Sequence, residues 1–204
     1  MKKILIVGAG AMGAAFSIPL LDNGHSVTLT EPYNFKLLEK LSLKKKIHPS
    51  LNINLPKKLK INKFSSDIFD RKWDLIVIAV SSIGIDLIGK NLSKIKNKTP
   101  ILVLTKGLKF EGRNLISMSS LLRKYNKNLN ISVLKGPCLA KELARKVKSF
   151  TVVANKNINT AKKIGKLIST NYYQTEFSRD VNGVEFLSAL KLSLIHISEP
   201  TRPY

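Results

Sequence analysis

Short apolar stretches alternate along the chain with longer segments in which apolar residues recur every three or four positions. The periodic segments predict helices over the sequence AMGAAFSIPLLDN, over residues 114–125 and over residues 157–170. The apolar stretches are nearly continuous in valine, isoleucine and leucine, which is typical of parallel strands that are covered on both faces. They read KILIV, SVTLT, DLIVIAV, PILVLT, NISVL and SFTVVA. The alternation predicts an α/β fold with a mostly parallel sheet.

The first strand runs directly into GAGAMG, where Gly8, Gly10 and Gly13 have the GxGxxG spacing. In a dinucleotide-binding turn the first glycine forms the turn, the second lets the backbone approach a pyrophosphate, and the third lets helix and strand pack closely. The phosphates then lie at the helix N-terminus, where free N–H groups favour an anion. The position of the motif between a strand and a helix predicts a doubly wound sheet of the Rossmann type. An ordinary tight turn is the alternative.

Glu31 stands at the end of the second strand, at the distance from the glycines that a ribose-binding acid has. Its carboxylate can accept hydrogen bonds from the adenosine ribose and would repel a 2′-phosphate, so we expect NAD as the cofactor. Nearby lysines, Lys2, Lys3 and the run Lys44–Lys46, would tolerate a phosphate and leave NADP as an alternative. A solvated strand end is the other interpretation of Glu31.

The lysines and apolar residues at the N-terminus also have features of a secretion signal or a membrane anchor. Glycines at 8, 10 and 13 and Pro19 interrupt this run, so we expect neither, and no other segment is apolar enough to span a membrane.

The single cysteine, Cys138, cannot form an internal disulfide. This favours a reducing compartment, and we expect a cytoplasmic location.

A formal net charge of +22 raises the question of nucleic-acid binding. Most of the charge is lysine, spread along the chain with few aromatic residues to stack on bases, and its densest stretch is residues 44–63. We therefore expect a solvated basic surface and no nucleic-acid partner, although part of the charge could attract an anionic substrate. We expect no metal site.

Six stretches resemble, in order, motifs of the NAD(P)-dependent glycerol-3-phosphate dehydrogenases. GAGAMGAAF resembles the family's GxGxWGTAxA, HPSLNINLP its loop ending in LP, DLIVIAVSS its strand ending in VPS, and LTKGLK its TKGLE. LKGPCLAKELARK resembles SGPSFAxEVA, and DVNGVEFLSALK resembles DxxGVExxGALKN. The resemblance is collinear from Met1 to Lys191.

The resemblance implies a reversible hydride transfer between NAD(P)H and dihydroxyacetone phosphate that gives sn-glycerol 3-phosphate, a reaction of glycerol-3-phosphate metabolism and phospholipid biosynthesis. It implies that Lys191 is the catalytic proton acceptor and that Lys106 contacts both cofactor and substrate. It places Gly136 and Cys138 at the substrate, and allows a homodimer of the complete enzyme. The cofactor contacts that it implies, besides the glycines and Lys106, are Ala11, Met12 and Ala140.

The chain departs from the family motifs at Met12, where the family has tryptophan, at Ser81, where it has proline, and at Cys138, where it has serine. The first two are changes of packing or of turn. A thiol is a poorer hydrogen-bond donor to a phosphate than a hydroxyl, so the third bears on the substrate. Cys138 also precedes a predicted helix N-terminus, and a reactive thiolate is the alternative to a plain substitution.

The resemblance divides the chain into a Rossmann domain at residues 1–180 and the first turns of an all-helical substrate domain at residues 181–191. From Leu192 to Tyr204 the sequence LSLIHISEPTRPY resembles a translated adapter used in preparing sequencing libraries. We therefore expect residues 192–204 not to belong to the protein and the chain as given to be an incomplete, inactive enzyme. A natural tail that continues the preceding helix is the alternative.

Three other functions are compatible with the sequence. A non-catalytic dinucleotide-binding module would bind NADH without turnover. A sister dehydrogenase would act on another small 2-hydroxy or 2-keto compound. A basic nucleic-acid binder would show steeply salt-dependent association.

Overall fold

The structure is a computed structural model that describes residues 1–43, 46–93, 95 and 98–198, with residues 191–198 as helix backbone only. The predicted adapter segment, residues 192–204, therefore lies outside the described side chains, and from residue 199 onward it lies outside the described backbone. Twelve strands are described: β1 (Lys3–Val7), β2 (Ser26–Thr30), β3 (Ile47–His48), β4 (Ile53–Asn54), β5 (Lys60–Ile61), β6 (Leu75–Ile78), β7 (Ile101–Val103), β8 (Leu108–Glu111), β9 (Asn114–Ser117), β10 (Ile131–Lys135), β11 (Ser149–Ala154) and β12 (Tyr173–Ser178).

Seven α-helices connect or follow these strands in the described part of the chain: α1 (Ala11–Asp22), α2 (Phe35–Ser42), α3 (Ile85–Leu92), α4 (Met118–Tyr125), α5 (Ala140–Ala144), α6 (Ile158–Ile168) and α7 (Val181–Ser198). Short 3-10 turns lie at Ser66–Asp70 and Ser82–Gly84. The helices predicted after the glycine motif and over residues 157–170 are confirmed as α1 and α6. None of the described helices is both long enough and apolar enough to span a lipid bilayer.

Eight strands form one sheet in the order β12-β11-β10-β7-β6-β1-β2-β5. All neighbours are parallel except β10 and β11, which pair antiparallel. The predicted mostly parallel, doubly wound Rossmann-type sheet is confirmed. From β1 the chain first builds outward to β2 and β5 and then crosses to β6 on the other side, so the switch point of the topology lies between β1 and β6. In such sheets ligands bind at the carboxyl ends of the strands beside the switch point.

Alternate residues of the central strands pack into separate cores on the two faces of the sheet. In β1, Ile4 and Ile6 belong to the core that contains α1 and α6, whereas Leu5 and Val7 belong to the core that contains α3 and α4. All four side chains are fully buried. Burial on both faces explains why these strands read as unbroken apolar runs and not as an alternation of apolar and polar residues.

The helix predicted over residues 114–125 is wrong in its first four residues. Asn114–Ser117 is strand β9, which pairs antiparallel with β8 in a hairpin that turns through Gly112. The helix begins only after Ser117, whose side-chain oxygen accepts the Ser120 N–H at 3.3 Å and so caps α4. The basic stretch also contains regular structure. It contains the β3–β4 hairpin and the sheet strand β5.

Candidate functional site

The three glycines of the first βα turn occupy three different environments. Gly8 has a φ of +111°, and a Cβ there would lie 2.6 Å from the carbonyl of Ala79. A Cβ on Gly13 would overlap the carbonyl oxygen of Gly8, so this position sets how closely α1 packs on β1. At Gly10, no atom of the described residues other than the glycine and its two chain neighbours lies within 4 Å of the Cβ position. The first and third glycines are therefore required by the fold, whereas the second leaves open space beside the helix N-terminus.

Both backbone polar groups of Ala9, the residue between the first two glycines, form hydrogen bonds with side chains. The Ala9 N–H donates to Glu31 Oε2 at 2.6 Å, and the Ala9 carbonyl oxygen lies 2.9 Å from His48 Nε2. His48 Nδ1 accepts the Leu51 N–H at 3.3 Å, so Nε2 is the nitrogen that carries the hydrogen and donates to Ala9. Both side chains are buried. Sequence reasoning missed His48, because nothing in the basic stretch shows that its loop folds against the glycine turn.

Glu31 links the glycine turn to the segment after β2. Its second oxygen, Oε1, accepts the backbone N–H groups of Tyr33 at 2.9 Å and Asn34 at 3.3 Å. Tyr33 in turn donates from its hydroxyl to the Gly84 carbonyl at 2.6 Å, across the switch point. Glu31 thus lies beside the glycine turn, where the sequence predicts a ribose-binding acid. Its contact with a ribose stays a prediction.

A cleft of about 300 Å³ opens at the carboxyl ends of β1, β6, β7 and β10. It brings together five residues that the sequence predicts for cofactor or substrate: Ala11, Met12, Lys106, Cys138 and Ala140. The remaining residues of its lining are Ala79, Val80, Leu104, Thr105 and Leu139. The first helix of the chain and the loop after β10 are more than a hundred residues apart in sequence, and the parallel topology alone brings them to one edge of the sheet.

Lys106 follows β7 and is exposed at the rim of this cleft. The backbone around it is fixed on both sides. Thr105 Oγ1 donates to the Val80 carbonyl at 2.8 Å, and Gly107 has a φ of +123°, a conformation that favours glycine. Lys191, the other predicted catalytic lysine, lies on α7 outside the described side chains. Its role in proton transfer stays a prediction.

Gly136 and Cys138 lie on the loop between β10 and α5. A Cβ on Gly136 would be 2.8 Å from the Phe150 carbonyl oxygen, so a side chain there would push β11 away. The Cys138 thiol is 4% exposed, and burial raises its pKa. A raised pKa keeps the thiol protonated, which favours a plain substitution for serine over a reactive thiolate.

Sequence reasoning missed Lys135, the last residue of β10, whose side chain is 5% exposed. Its ammonium donates to the carbonyl oxygens of Leu104, at 3.5 Å, and of Thr105. The pKa of Lys135 is lowered to about 8, mainly by burial; the charge of Glu185 raises it and that of Lys106 lowers it. The signal in the sequence is a lysine placed directly after the buried run ISVL, at the carboxyl end of a strand.

Glu185, on α7, is a buried acid whose negative charge acts on Lys135. Its carboxylate accepts both the backbone N–H of Ser119, at 3.2 Å, and the hydroxyl of Ser119. This contact ties α7 to the N-terminus of α4. Within the described residues, no group of three or more histidine, cysteine or acidic side chains could hold a metal ion.

The strand order and the glycine turn are those of a Rossmann-type dinucleotide-binding domain. Comparison with known sequences narrows this class to one family. Residues 3–161 match the sequence model described as the N-terminus of NAD-dependent glycerol-3-phosphate dehydrogenase, and the chain belongs to that family.

Two sequence relatives and one solved structure agree with this assignment. The chain is 34% identical over 195 residues to glycerol-3-phosphate dehydrogenase [NAD(P)+] of Leptospira biflexa, covering 93% of this chain and 57% of the relative. It is 28% identical to the NADP(+)-dependent glycerol-3-phosphate dehydrogenase of Archaeoglobus fulgidus, and the match covers 92% of this chain and 57% of that relative. The crystal structure of glycerol-3-phosphate dehydrogenase from Coxiella burnetii shares the fold, with a TM-score of 0.81 and 23% identity. The match covers 92% of this chain and 57% of the crystallised one. The chain thus spans little more than half the length of these relatives.

Proposed function

We propose that this chain is the cofactor-binding part of an NAD(P)-dependent glycerol-3-phosphate dehydrogenase, which interconverts dihydroxyacetone phosphate and sn-glycerol 3-phosphate. The observation that carries the proposal is the open space at Gly10, between two glycines that the fold requires, at the edge of a cleft that four strands share. Membership of the family and the names of the relatives support the substrate.

The N-terminus of α1 fits the pyrophosphate of a dinucleotide. In the described chain no side chain caps this helix, so its first N–H groups are available to an anion. The absence of a side chain at Gly10 lets a phosphate approach the backbone closely. When bound, the cofactor supplies the hydride of the reaction.

The remaining residues divide between cofactor and substrate. Glu31 is proposed to bind the adenosine ribose, which favours NAD over NADP, and Ala11, Met12 and Ala140 are proposed to contact the cofactor. Lys106, exposed at the rim of the cleft, is suited to attract the anionic substrate and to orient it.

The other substrate contacts proposed are Gly136 and Cys138. Lys191 is proposed to hold the proton at its Nζ that passes to and from the substrate oxygen. We also propose that residues 1–180 form the cofactor domain and that residues 181–191 begin the substrate domain. A homodimer and a cytoplasmic location are proposed for the complete enzyme.

The function is tested by following NADH consumption with dihydroxyacetone phosphate, using the complete gene product. We expect turnover that depends on both compounds and is lost in Lys106→Met but kept in Lys98→Met, which changes a lysine before β7. A protein that binds NADH and does not reduce dihydroxyacetone phosphate would contradict the proposal.

One other function has an observation in its favour. The thiol of Cys138 in place of the family's serine favours a sister dehydrogenase for another 2-hydroxy or 2-keto compound. Competition between dihydroxyacetone phosphate and other small keto compounds separates this function from the proposed one.

A further inference from the structure

Lys135 lies between two spaces at the end of β10. On one side is a niche of about 20 Å³, lined among others by Met12, Lys106, Cys138 and Tyr173, with room for about one water molecule. On the other side is a cavity of about 250 Å³ beneath α7, lined by Lys135 together with Gly136, Pro137, Val152, Val184, Leu187 and Ser188. Lys135 therefore contributes to the wall of a cavity large enough to admit a phosphate group.

The positive charge of Lys135 has little compensation from the protein. Its ammonium donates to the carbonyl oxygens of Leu104 and Thr105, and none of the ion pairs in the described part of the chain includes it. Glu185, the buried carboxylate whose charge acts on Lys135, has both oxygens hydrogen-bonded to Ser119. A buried ammonium without a paired anion is costly, and a bound anion in the adjoining cavity would remove much of that cost.

Lys135 also stands at a place where the resembled family motif has a different residue. In the motif SGPSFAxEVA, Lys135 occupies the position of the first serine and Cys138 that of the second. The second change replaces a hydroxyl by a buried thiol, a weak donor that contacts the Leu139 carbonyl at 3.8 Å. The first change adds a charged donor at the end of β10, next to Gly136.

We propose that the Lys135 ammonium is an anion-binding group of the substrate site, which binds the phosphate end of the substrate in the cavity beneath α7. It supplies a strong, charged hydrogen bond on a loop where Cys138 supplies a weak one. The identity of the substrate rests on the proposed function, whereas the anion site rests on the burial of Lys135 and on the cavity that it lines.

The first test is calorimetric titration with inorganic sulfate, dihydroxyacetone phosphate and uncharged dihydroxyacetone, in the presence of NAD⁺, with which the ketones cannot be reduced. Lys135→Met removes the charge and Lys135→Arg keeps it. Lys141→Met removes an exposed lysine from α5, the helix that follows the loop, and is the matched control. We expect sulfate and dihydroxyacetone phosphate to bind about tenfold more weakly to Lys135→Met. Both anions should bind unchanged to Lys141→Met, and binding of the uncharged ketone should not depend on residue 135.

Unchanged sulfate affinity in a Lys135→Met protein that binds NADH as the wild type does would overturn the inference. If Lys135→Met does not fold, the wild-type protein provides the test, because sulfate keeps its charge while Lys135 loses its proton. Sulfate affinity should fall as the pH rises through about 8, the pKa of Lys135. The other ionisable groups that face Lys135 are Glu185 and Lys106, with Cys138 and Tyr173 around the niche.

The titration with sulfate at rising pH is therefore repeated with Lys106→Met, in which the sulfate affinity should still fall. A sulfate affinity that is constant over this pH range would overturn the inference.

Two outcomes separate the inference from the proposed function. Lys135-dependent sulfate binding without any binding of dihydroxyacetone phosphate supports the anion site and contradicts the proposed substrate. Turnover of dihydroxyacetone phosphate that does not change in Lys135→Met supports the function and overturns the anion site.

Discussion

Glu31 Oε2 accepts a hydrogen bond of 2.6 Å from the backbone N–H of Ala9, between the first two glycines of the βα turn. The acid that the sequence predicts to read the ribose is thus also part of the structure that holds the turn. His48 holds the carbonyl of the same residue, so the conformation of Ala9 depends on β2 and on the loop that contains β3. Protein groups therefore fix the backbone that a pyrophosphate is proposed to approach.

Glu31→Gln is expected to destabilise the protein. An amide has one accepting oxygen and places an NH₂ group against backbone N–H donors, whereas the carboxylate accepts from Ala9, Tyr33 and Asn34. The loss should be about 1–3 kcal/mol in the free energy of unfolding, measured by urea denaturation. Glu39→Gln, at an exposed position of α2, is the control and should leave the stability unchanged. Equal stability of the two variants would show that these hydrogen bonds contribute nothing.

Glu31→Ala is expected to weaken the binding of NADH more than that of NADPH. Removal of the carboxylate takes away the acceptor for the ribose hydroxyls, and it also takes away the repulsion of a 2′-phosphate. The two dissociation constants are measured by fluorescence titration at one ionic strength. Equal weakening of both cofactors would mean that Glu31 acts only through the glycine turn and does not read the ribose.

Lys191→Ala is expected to lower kcat of the complete enzyme by about 10²–10⁴, the usual contribution of a general acid or base. Binding of NADH should change little, because the family motif assigns this lysine to proton transfer. The comparison uses steady-state kinetics with saturating NADH, and Lys163→Ala, an exposed lysine of α6, is the control. Turnover at the wild-type rate in Lys191→Ala would remove the lysine from the mechanism.

The buried lysine predicts how stability depends on pH. The pKa of Lys135 is lowered from 10.5 to about 8 in the folded protein, so between these values the unfolded chain binds the proton and the native protein does not. Stability from this group therefore rises with pH across that window, by roughly 3 kcal/mol in total, because each pKa unit corresponds to about 1.4 kcal/mol. Below about pH 8 both states carry the charge and the folded state bears its burial cost.

The matched comparison is between wild type and Lys135→Met, unfolded with urea at about pH 7 and about pH 10. The difference in unfolding free energy should move in favour of the wild type as the pH rises, since the substituted side chain does not titrate. A difference that is the same at both pH values would show that Lys135 has an ordinary pKa in the folded protein.

The glycine turn was open to prediction because its determinants are local. Gly8 and Gly13 are needed for contacts with residues that the fold always places there, and the spacing of the motif expresses those contacts directly. The strand runs were equally clear because both faces of the central strands are buried. The apolar spacing of Asn114–Ser117 is compatible with the first turn of a helix and with a strand. Pairing with β8 makes it a strand, and this pairing is not visible in the local sequence.

The roles of His48 and Lys135 could not be read from the sequence because they depend on contacts far along the chain. His48 is one polar residue in a basic loop until that loop folds against Ala9, which is thirty-nine residues away. Lys135 is one lysine among many until β10 takes its place beside β7 and buries the side chain. Burial distinguishes Lys135 from the exposed lysines and lowers its pKa, and burial is a property of the tertiary structure.

The turn around Gly10 is proposed to bind the pyrophosphate of a nicotinamide dinucleotide, and a single binding comparison tests this. The dissociation constant of NADH is compared for wild type and Gly10→Ala, with the melting temperature of each. Because no atom of the described residues other than the glycine and its chain neighbours lies within 4 Å of the Cβ position, Gly10→Ala should fold and melt like the wild type. We expect at least about tenfold weaker NADH binding, since the methyl group occupies the space that the phosphate needs. Equal affinity in two equally stable proteins would contradict it.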